Sequence, residues 1–210
     1  MNIGACNYQL WFSRKDANTS EAENDPLSFN IAAGCRISKI MSLTIKNLSA
    51  QDCVVIAEAF RRQGWGKPVE QYEQFLAEMV GELREVLVAE LYGEFAGYLN
   101  VVWTSAYPPF RDRSIPEITD LNVLIKFRKL GVATRLMDDA ESLISQCRET
   151  AGIRVGLTAD YGPAQRLYVR RGYVPDGSGL YYGGQPLKYG DRTTADDDLT
   201  LGFTKRVRRS

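Results

Sequence analysis

The apolar positions of this chain fall into stretches with two different periods. Residues 43–48, LTIKNL, alternate apolar and polar side chains, as a half-buried strand does. Ser49 and Asp52 then read as a helix cap with an acid in the first turn, opening a helix over 52–62 that stops at Gln63-Gly64-Trp65-Gly66. Tyr72, Phe75, Leu76, Met79 and Val80 recur at helical spacing and predict a second helix over 69–81. Residues 86–91 and 95–103, joined at Tyr92-Gly93-Glu94, predict a strand, a hairpin and a strand. A loop at 107–113 leads into a strand over 115–125. Next, Val132, Leu136, Met137, Ala140, Leu143, Ile144 and Cys147 make one apolar helix face. A strand at 153–157, a short helix at 163–171 ending at Gly172, and a strand starting at Tyr173 follow. A polar, glycine-rich excursion over 180–198 precedes a closing alternating strand at 199–207. The order is β-α-α-β-β-β-α-β-α-β-β, a mixed α/β chain with no internal repeat.

The first forty residues read differently. Residues 16–25, DANTSEAEND, are acidic and polar with nothing apolar to pack, so residues 1–40 are expected to be a partly flexible extension to a domain at 41–210. No apolar run reaches the ~18 residues a membrane span needs, and the N-terminus lacks a secretory pattern. Cys6, Cys35, Cys53 and Cys147 are scattered without a CxxC pair and read as reduced thiols, which points to the cytoplasm. The formal net charge is zero, which argues against a general nucleic-acid binder. The chain has no histidine. That excludes Ser-His and Cys-His nucleophile pairs and histidine metal sites, and no metal is expected. Proton transfer is left to Asp, Glu, Tyr, Lys or Cys, or to water.

Chemistry enters at Arg128-Lys129-Leu130-Gly131-Val132-Ala133, where a strand hands over to a helix. The first-turn N–H groups of a helix lack intrahelical partners and carry the positive end of the dipole. Small Gly131 and Ala133 let phosphate oxygens approach, and Arg128 adds a planar fork of donors. A tight turn with a surface basic pair would use the same residues. GxxxxGK[ST] and GxGxxG are both absent, so a P-loop or a Rossmann site does not fit.

A second segment lies one strand and one short helix further on: Ala164, Leu167, Tyr168, Gly172 and Tyr173. Together the two closely resemble the GNAT superfamily of acyl-CoA-dependent N-acyltransferases, with its [RQ]-x-x-G-x-[GA] turn and its A-x-x-L-Y-x-x-x-G-[FY] segment. The resemblance covers about four fifths of the chain and departs from the family at Tyr161, where many members have Asn. It implies an α+β fold with a mostly antiparallel, twisted mixed sheet of about six to seven strands and about four helices. It also implies acetyl-CoA as co-substrate and a small-molecule or peptide amine as acceptor, attacked directly in a ternary complex; a homodimer is compatible.

By this resemblance, the amides from Leu130 to Thr134, with Arg128 and Lys129, hold the coenzyme diphosphate. The pantetheine arm runs beside Leu121, Asn122 and Val123 and pairs like an added strand, with Tyr161 and Ala164 nearby. A backbone N–H there polarises the thioester carbonyl. Tyr168 is the candidate acid for the departing sulfur, since a phenol of pKa ~10 stays protonated at neutral pH. Glu117 is the leading base and Asp120 the alternative. On an ideal strand Glu117 and Thr119 share one face, Asp120 and Asn122 the other, and a bulge would change that phase. Either carboxylate could instead pair with Arg111 or Arg113. Trp65, Trp103, Tyr107 and Phe110 are candidate acceptor contacts. Two other readings stand beside the enzyme: a non-catalytic acyl-CoA sensor or partner subunit, and a tRNA-directed acetyltransferase toxin, which zero net charge disfavours.

Overall fold

The computed structural model describes residues 42–208, so the expected extension lies outside the described residues. Strand β1 (Leu43–Asn47) leads to α1 (Ala50–Arg62), α2 (Val69–Val80), and the hairpin β2 (Arg84–Leu91) and β3 (Glu94–Val102). A short helix α3 (Pro108–Arg111) precedes β4 (Glu117–Val123), α4 (Val132–Ser145), β5 (Thr150–Gly156) and α5 (Gly162–Arg170). The chain closes with β6 (Val174–Tyr182), β7 (Gln185–Pro186) and β8 (Leu199–Arg206). The eight strands form one sheet in the order β1-β2-β3-β4-β5-β8-β6-β7, antiparallel throughout except for β4 beside β5.

The sheet therefore has more strands than the sequence implied, and the described residues form five α-helices. Helix α3 occupies what reads as a loop, because Pro108 and Pro109 preset the first helical turn. Strand β6 enters the excursion begun at 180. Pro175 pairs with Phe203 and Leu180 with Leu201, so Asp176, Gly177, Ser178 and Gly179 all stand opposite Gly202. That bulge breaks the alternation by which a strand is recognised.

The core follows the periodic pattern. Val132, Leu136, Met137, Ala140 and Ile144 are buried along α4, which packs across β1 to β5. The larger of these side chains, Val132, Leu136, Met137 and Ile144, each contribute about 1.5–3 kcal/mol through burial. Phe60 of α1 and Tyr72 of α2 meet Tyr98 of β3 edge-on, at 5.9 and 5.6 Å.

Two irregularities in β4 shape everything downstream. Tyr98 pairs with Asn122 and Asn100 with Thr119, so Asp120 and Leu121 together oppose Leu99, and Asp120 takes a left-handed φ of 54°. This bulge puts Asn122 on the same face as Glu117 and Thr119, where ideal alternation would have opposed them. The second irregularity is the junction with β5. Only Glu117 with Gly152 and Ile118 with Ile153 are paired, after which the two strands part.

Candidate active site

The parting of β4 and β5 opens a cleft of about 100 Å³. Its walls are Glu117 to Asn122 of β4 and Ile153 to Gly156 of β5. Tyr161, Ala164 and Tyr168 close it from the α5 side, Asp197 and Thr200 from the β8 side. Of the sequence candidates, Glu117, Asp120, Leu121, Asn122, Tyr161, Ala164 and Tyr168 meet here. Val123 lies outside the walls and pairs with Gly97. Asn122 Oδ1 and Thr200 Oγ1 are buried with no hydrogen-bond partner among the described residues. Buried polar atoms of this kind are completed by an ordered water or by a ligand. Beyond Ile118 the edge of β4 facing β5 lacks a ladder partner, which suits an extended polar arm.

The start of α4 is the second half of the site. Lys129 and Gly131 both adopt left-handed φ values, 63° and 84°, and Gly131 is the N-cap. A glycine tolerates that conformation without strain. The first intrahelical bond runs from Arg135 N–H to Gly131 C=O at 3.0 Å. The N–H groups of Val132, Ala133 and Thr134 thus have no partner within the helix. The first turn carries no acidic residue and no side-chain cap bond. Leu130 and Thr134 are exposed, Ala133 half-buried. Arg128 is exposed and lies over the Trp65 ring, 5.5 Å from its centroid. These donors fit an anion.

Among the acid–base candidates, Tyr168 is buried against Tyr173, and burial pushes its phenol well above the ordinary value near 10. The phenol therefore stays protonated at neutral pH. Glu117 is 3% exposed, with both carboxylate oxygens engaged. Arg154 Nε donates to Oε1 at 2.8 Å and the Ser105 hydroxyl donates to Oε2. Its ion-pair partner is thus Arg154, not Arg111 or Arg113. Asp120 is half-buried and accepts from Asn100 Nδ2 at 3.1 Å on one oxygen. Lys67, which the sequence did not single out, is buried with Nζ donating to Tyr98 OH at 3.1 Å. Burial pushes its ammonium below the ordinary range, with the nearby Asp120 charge opposing the shift.

The four aromatic candidates stay outside the cleft walls. Trp65 stacks on Phe60 at 5.5 Å, beside the α4 turn. Trp103 is half-buried against the main core. Tyr107 and Phe110 are 1% and 0% exposed in a small cluster with Ile115 and Tyr181. Tyr107 turns its ring toward the Arg154 guanidinium, 5.2 Å away, and donates its hydroxyl to Asp176 at 2.9 Å. A Cβ at Gly152 would meet the Phe110 ring at 2.5 Å, and one at Gly156 would meet Tyr161 at 2.4 Å. Arg154 therefore projects between two positions kept bare for rings. Glycines at alternate strand positions signal close approach, and the run Gly152-Ile-Arg154-Val-Gly156 carried that signal. Thr200 gave none, and Asp197 stands in an acidic run, Asp196-Asp197-Asp198, whose place relative to a site the sequence leaves open. Thr200 reaches the cleft through long-range pairing opposite Gly156, and Asp197 accepts from the Tyr161 hydroxyl at 3.2 Å. Among the described residues, no cluster of three or more His, Cys, Asp or Glu could hold a metal, and no helix is long and apolar enough to cross a membrane.

Similarity to known proteins agrees with this geometry. Residues 56–186 match the acetyltransferase (GNAT) domain family. Solved structures of the same fold include a proposed GNAT acetyltransferase from Desulfovibrio desulfuricans, 13% identical with a TM-score of 0.60, covering 79% of this chain and 99% of that one. A proposed acetyltransferase from Salmonella typhimurium, solved with its cofactor acetyl-CoA, is 14% identical with a TM-score of 0.58, covering 80% and 95%. An N-acetyltransferase from Staphylococcus aureus is 12% identical with a TM-score of 0.58, covering 80% and 99%. No curated protein sequence matches the chain. With the family match spanning well over half of the chain, and with the parted strands and open helix turn in place, the protein belongs to the GNAT acetyltransferase family.

Proposed function

We propose that the protein transfers an acetyl group from acetyl-CoA to a primary amine by direct attack in a ternary complex. The observation that carries this reading is the cleft between β4 and β5, which brings Tyr168 and Asp120 together beside an unpaired strand edge. Acetyl-CoA supplies the activated acetyl group. The first-turn amides of α4, with Arg128 and Lys129, hold its diphosphate. The free edge of β4 along Leu121, Asn122 and Val123 orients its arm, with Tyr161 and Ala164 as the opposite wall. A β4 N–H on that edge stabilises negative charge growing on the carbonyl oxygen.

The acceptor amine must lose a proton before or during attack. Glu117 and Asp120 are the two candidate bases, and their surroundings favour Asp120. Glu117 is enclosed by Arg154 and Ser105, whereas only one oxygen of Asp120 takes a hydrogen bond. Glu117 then acts by fixing Arg154. Tyr168 gives its phenolic proton to the departing sulfur.

The test combines ligand binding with turnover. Acetyl-CoA should raise the melting temperature, and an amine library should reveal thiol release. Tyr168→Phe should lower kcat by about 100-fold, the lower end of general acid effects, while leaving the acetyl-CoA-induced stabilisation intact. Unchanged kcat in that variant would remove Tyr168 from the mechanism. Absence of any stabilisation would remove the coenzyme site itself.

A further inference from the structure

We propose that Arg154 and Thr200 form a carboxylate subsite and that the acceptor is an amino acid, presenting its amine and carboxylate together. This rests on the acetyltransferase reading above and names the acceptor class for the same cleft.

Two residues in the cleft carry donors that no described residue accepts from. Arg154 is 11% exposed and uses Nε on Glu117, while its two terminal nitrogens donate to no described residue. Thr200 is 4% exposed, and its hydroxyl has no partner among the described residues. The β5–β8 ladder pairs Arg154 with Gly202 and Gly156 with Thr200. The two donors thus sit on one face of adjacent strands, in the diagonal relation whose spacing is roughly 7–8 Å between backbones. The long arginine spans such a gap. A carboxylate has two oxygens and about four acceptor sites, and the planar edge of a guanidinium is its best match. The Glu117 bond and the Tyr107 ring hold that guanidinium in place, and Phe110 and Tyr161 fill the space above the flanking glycines.

Charge selects the rest of the ligand. Glu117, Asp120 and Asp197 also line the cleft, and the Arg154 charge is matched by Glu117. A simple anion would meet the carboxylates of Asp120 and Asp197. A simple cationic amine would leave the Arg154 and Thr200 donors unsatisfied. A zwitterion answers both, with its ammonium toward Asp120 and Asp197 and its carboxylate on Arg154 and Thr200. The base then lies where the amine must lose its proton.

The experiment is a thiol-release comparison with the full chain and acetyl-CoA. Glycine, alanine, serine and phenylalanine are set against their amides and their decarboxylated amines. The expected result is a kcat/KM at least about tenfold higher for the acids, the scale of one charge-assisted hydrogen bond. Thr200→Val should raise KM for the preferred acid about tenfold with kcat little changed. Because it removes a buried hydroxyl that lacks a partner, its melting temperature should match or exceed the parent's. Arg154→Lys keeps a counter-charge for Glu117 but loses the fork, and should collapse the preference for acids over amides. Equal use of acids and amides would overturn the proposal, as would an unchanged KM in Thr200→Val. Stabilisation by acetyl-CoA with thiol release only on amides or peptides would overturn the amino-acid acceptor and leave the transferase reading standing. Loss of both stabilisation and release would sink the two together.

Discussion

Helix α1 enters through Ser49, whose backbone N–H and hydroxyl both donate to Asp52, at 2.9 and 2.6 Å. Lys46 adds an ion pair to the same carboxylate at 2.9 Å. Helix α4 enters through Gly131, which has no side chain to offer, and its first turn carries no acid. Both helices present the same unpaired amides and the same dipole. The chain neutralises one end with its own residues and leaves the other open, with Arg128 and Lys129 adjoining it. The first arrangement stabilises the fold and has no room for an anion. The second forgoes that stabilisation and selects a ligand from solution.

The largest expected effect comes from making α4 resemble α1. Gly131→Glu puts an acid at the cradle and a side chain at a φ of 84°. It should weaken acetyl-CoA binding by about two orders of magnitude or more, read by calorimetry or thermal shift. Normal binding would show that the diphosphate lies elsewhere. Next is the reverse experiment on α1. Asp52→Ala should cost about 0.5–2 kcal/mol in urea unfolding and leave acetyl-CoA affinity unchanged. A matching loss of affinity would mean the two helix ends do not have separate roles.

Arg128→Ala follows, with an expected loss of about tenfold in acetyl-CoA affinity and a shallower salt dependence of binding. The smallest effect is in pH. Burial pushes the Asp52 carboxyl up, but the bonds from Ser49 and Lys46 outweigh burial and hold it below its ordinary value of 3.8. A group with a lowered folded value stabilises the protein above its unfolded pKa, and that contribution fades as pH falls through the folded value. Acid titration from pH 5 to pH 2 should therefore destabilise the parent by more than it destabilises Asp52→Asn, followed by circular dichroism.

Much of this was legible in the chain itself. The element order apart from α3 and β7, the apolar face of α4 around Leu136 and Met137, and the turn at Gly131 all follow from periodicity and local backbone chemistry, which act within a few residues. Both caps could be read in the same way. The cleft was legible only in part, because its chemistry depends on pairing across the sheet. The bulge at Asp120 moves Asn122 to the Glu117 face, and nothing in LNV announces it. Arg154 is 37 residues from Glu117, and the sequence offered Arg111 and Arg113 as nearer partners. Tyr107 and Phe110 look like free aromatic surface until Gly152 and Gly202 are seen to make room for them. Strand β6 was obscured by four residues opposite Gly202, which erase its alternation.

The junction of β4 and β5 has a mechanical consequence. Two residue pairs are all that stitch the β1–β4 half of the sheet to the β5–β8 half through the ladder. A polar arm lying along the free edge of β4 extends that seam, so the ligand serves the fold as a temporary thread as well as serving the chemistry. Amide exchange should then slow on both sides of the gap together when acetyl-CoA is added, since a molecule that binds the joined state alone draws both halves toward it.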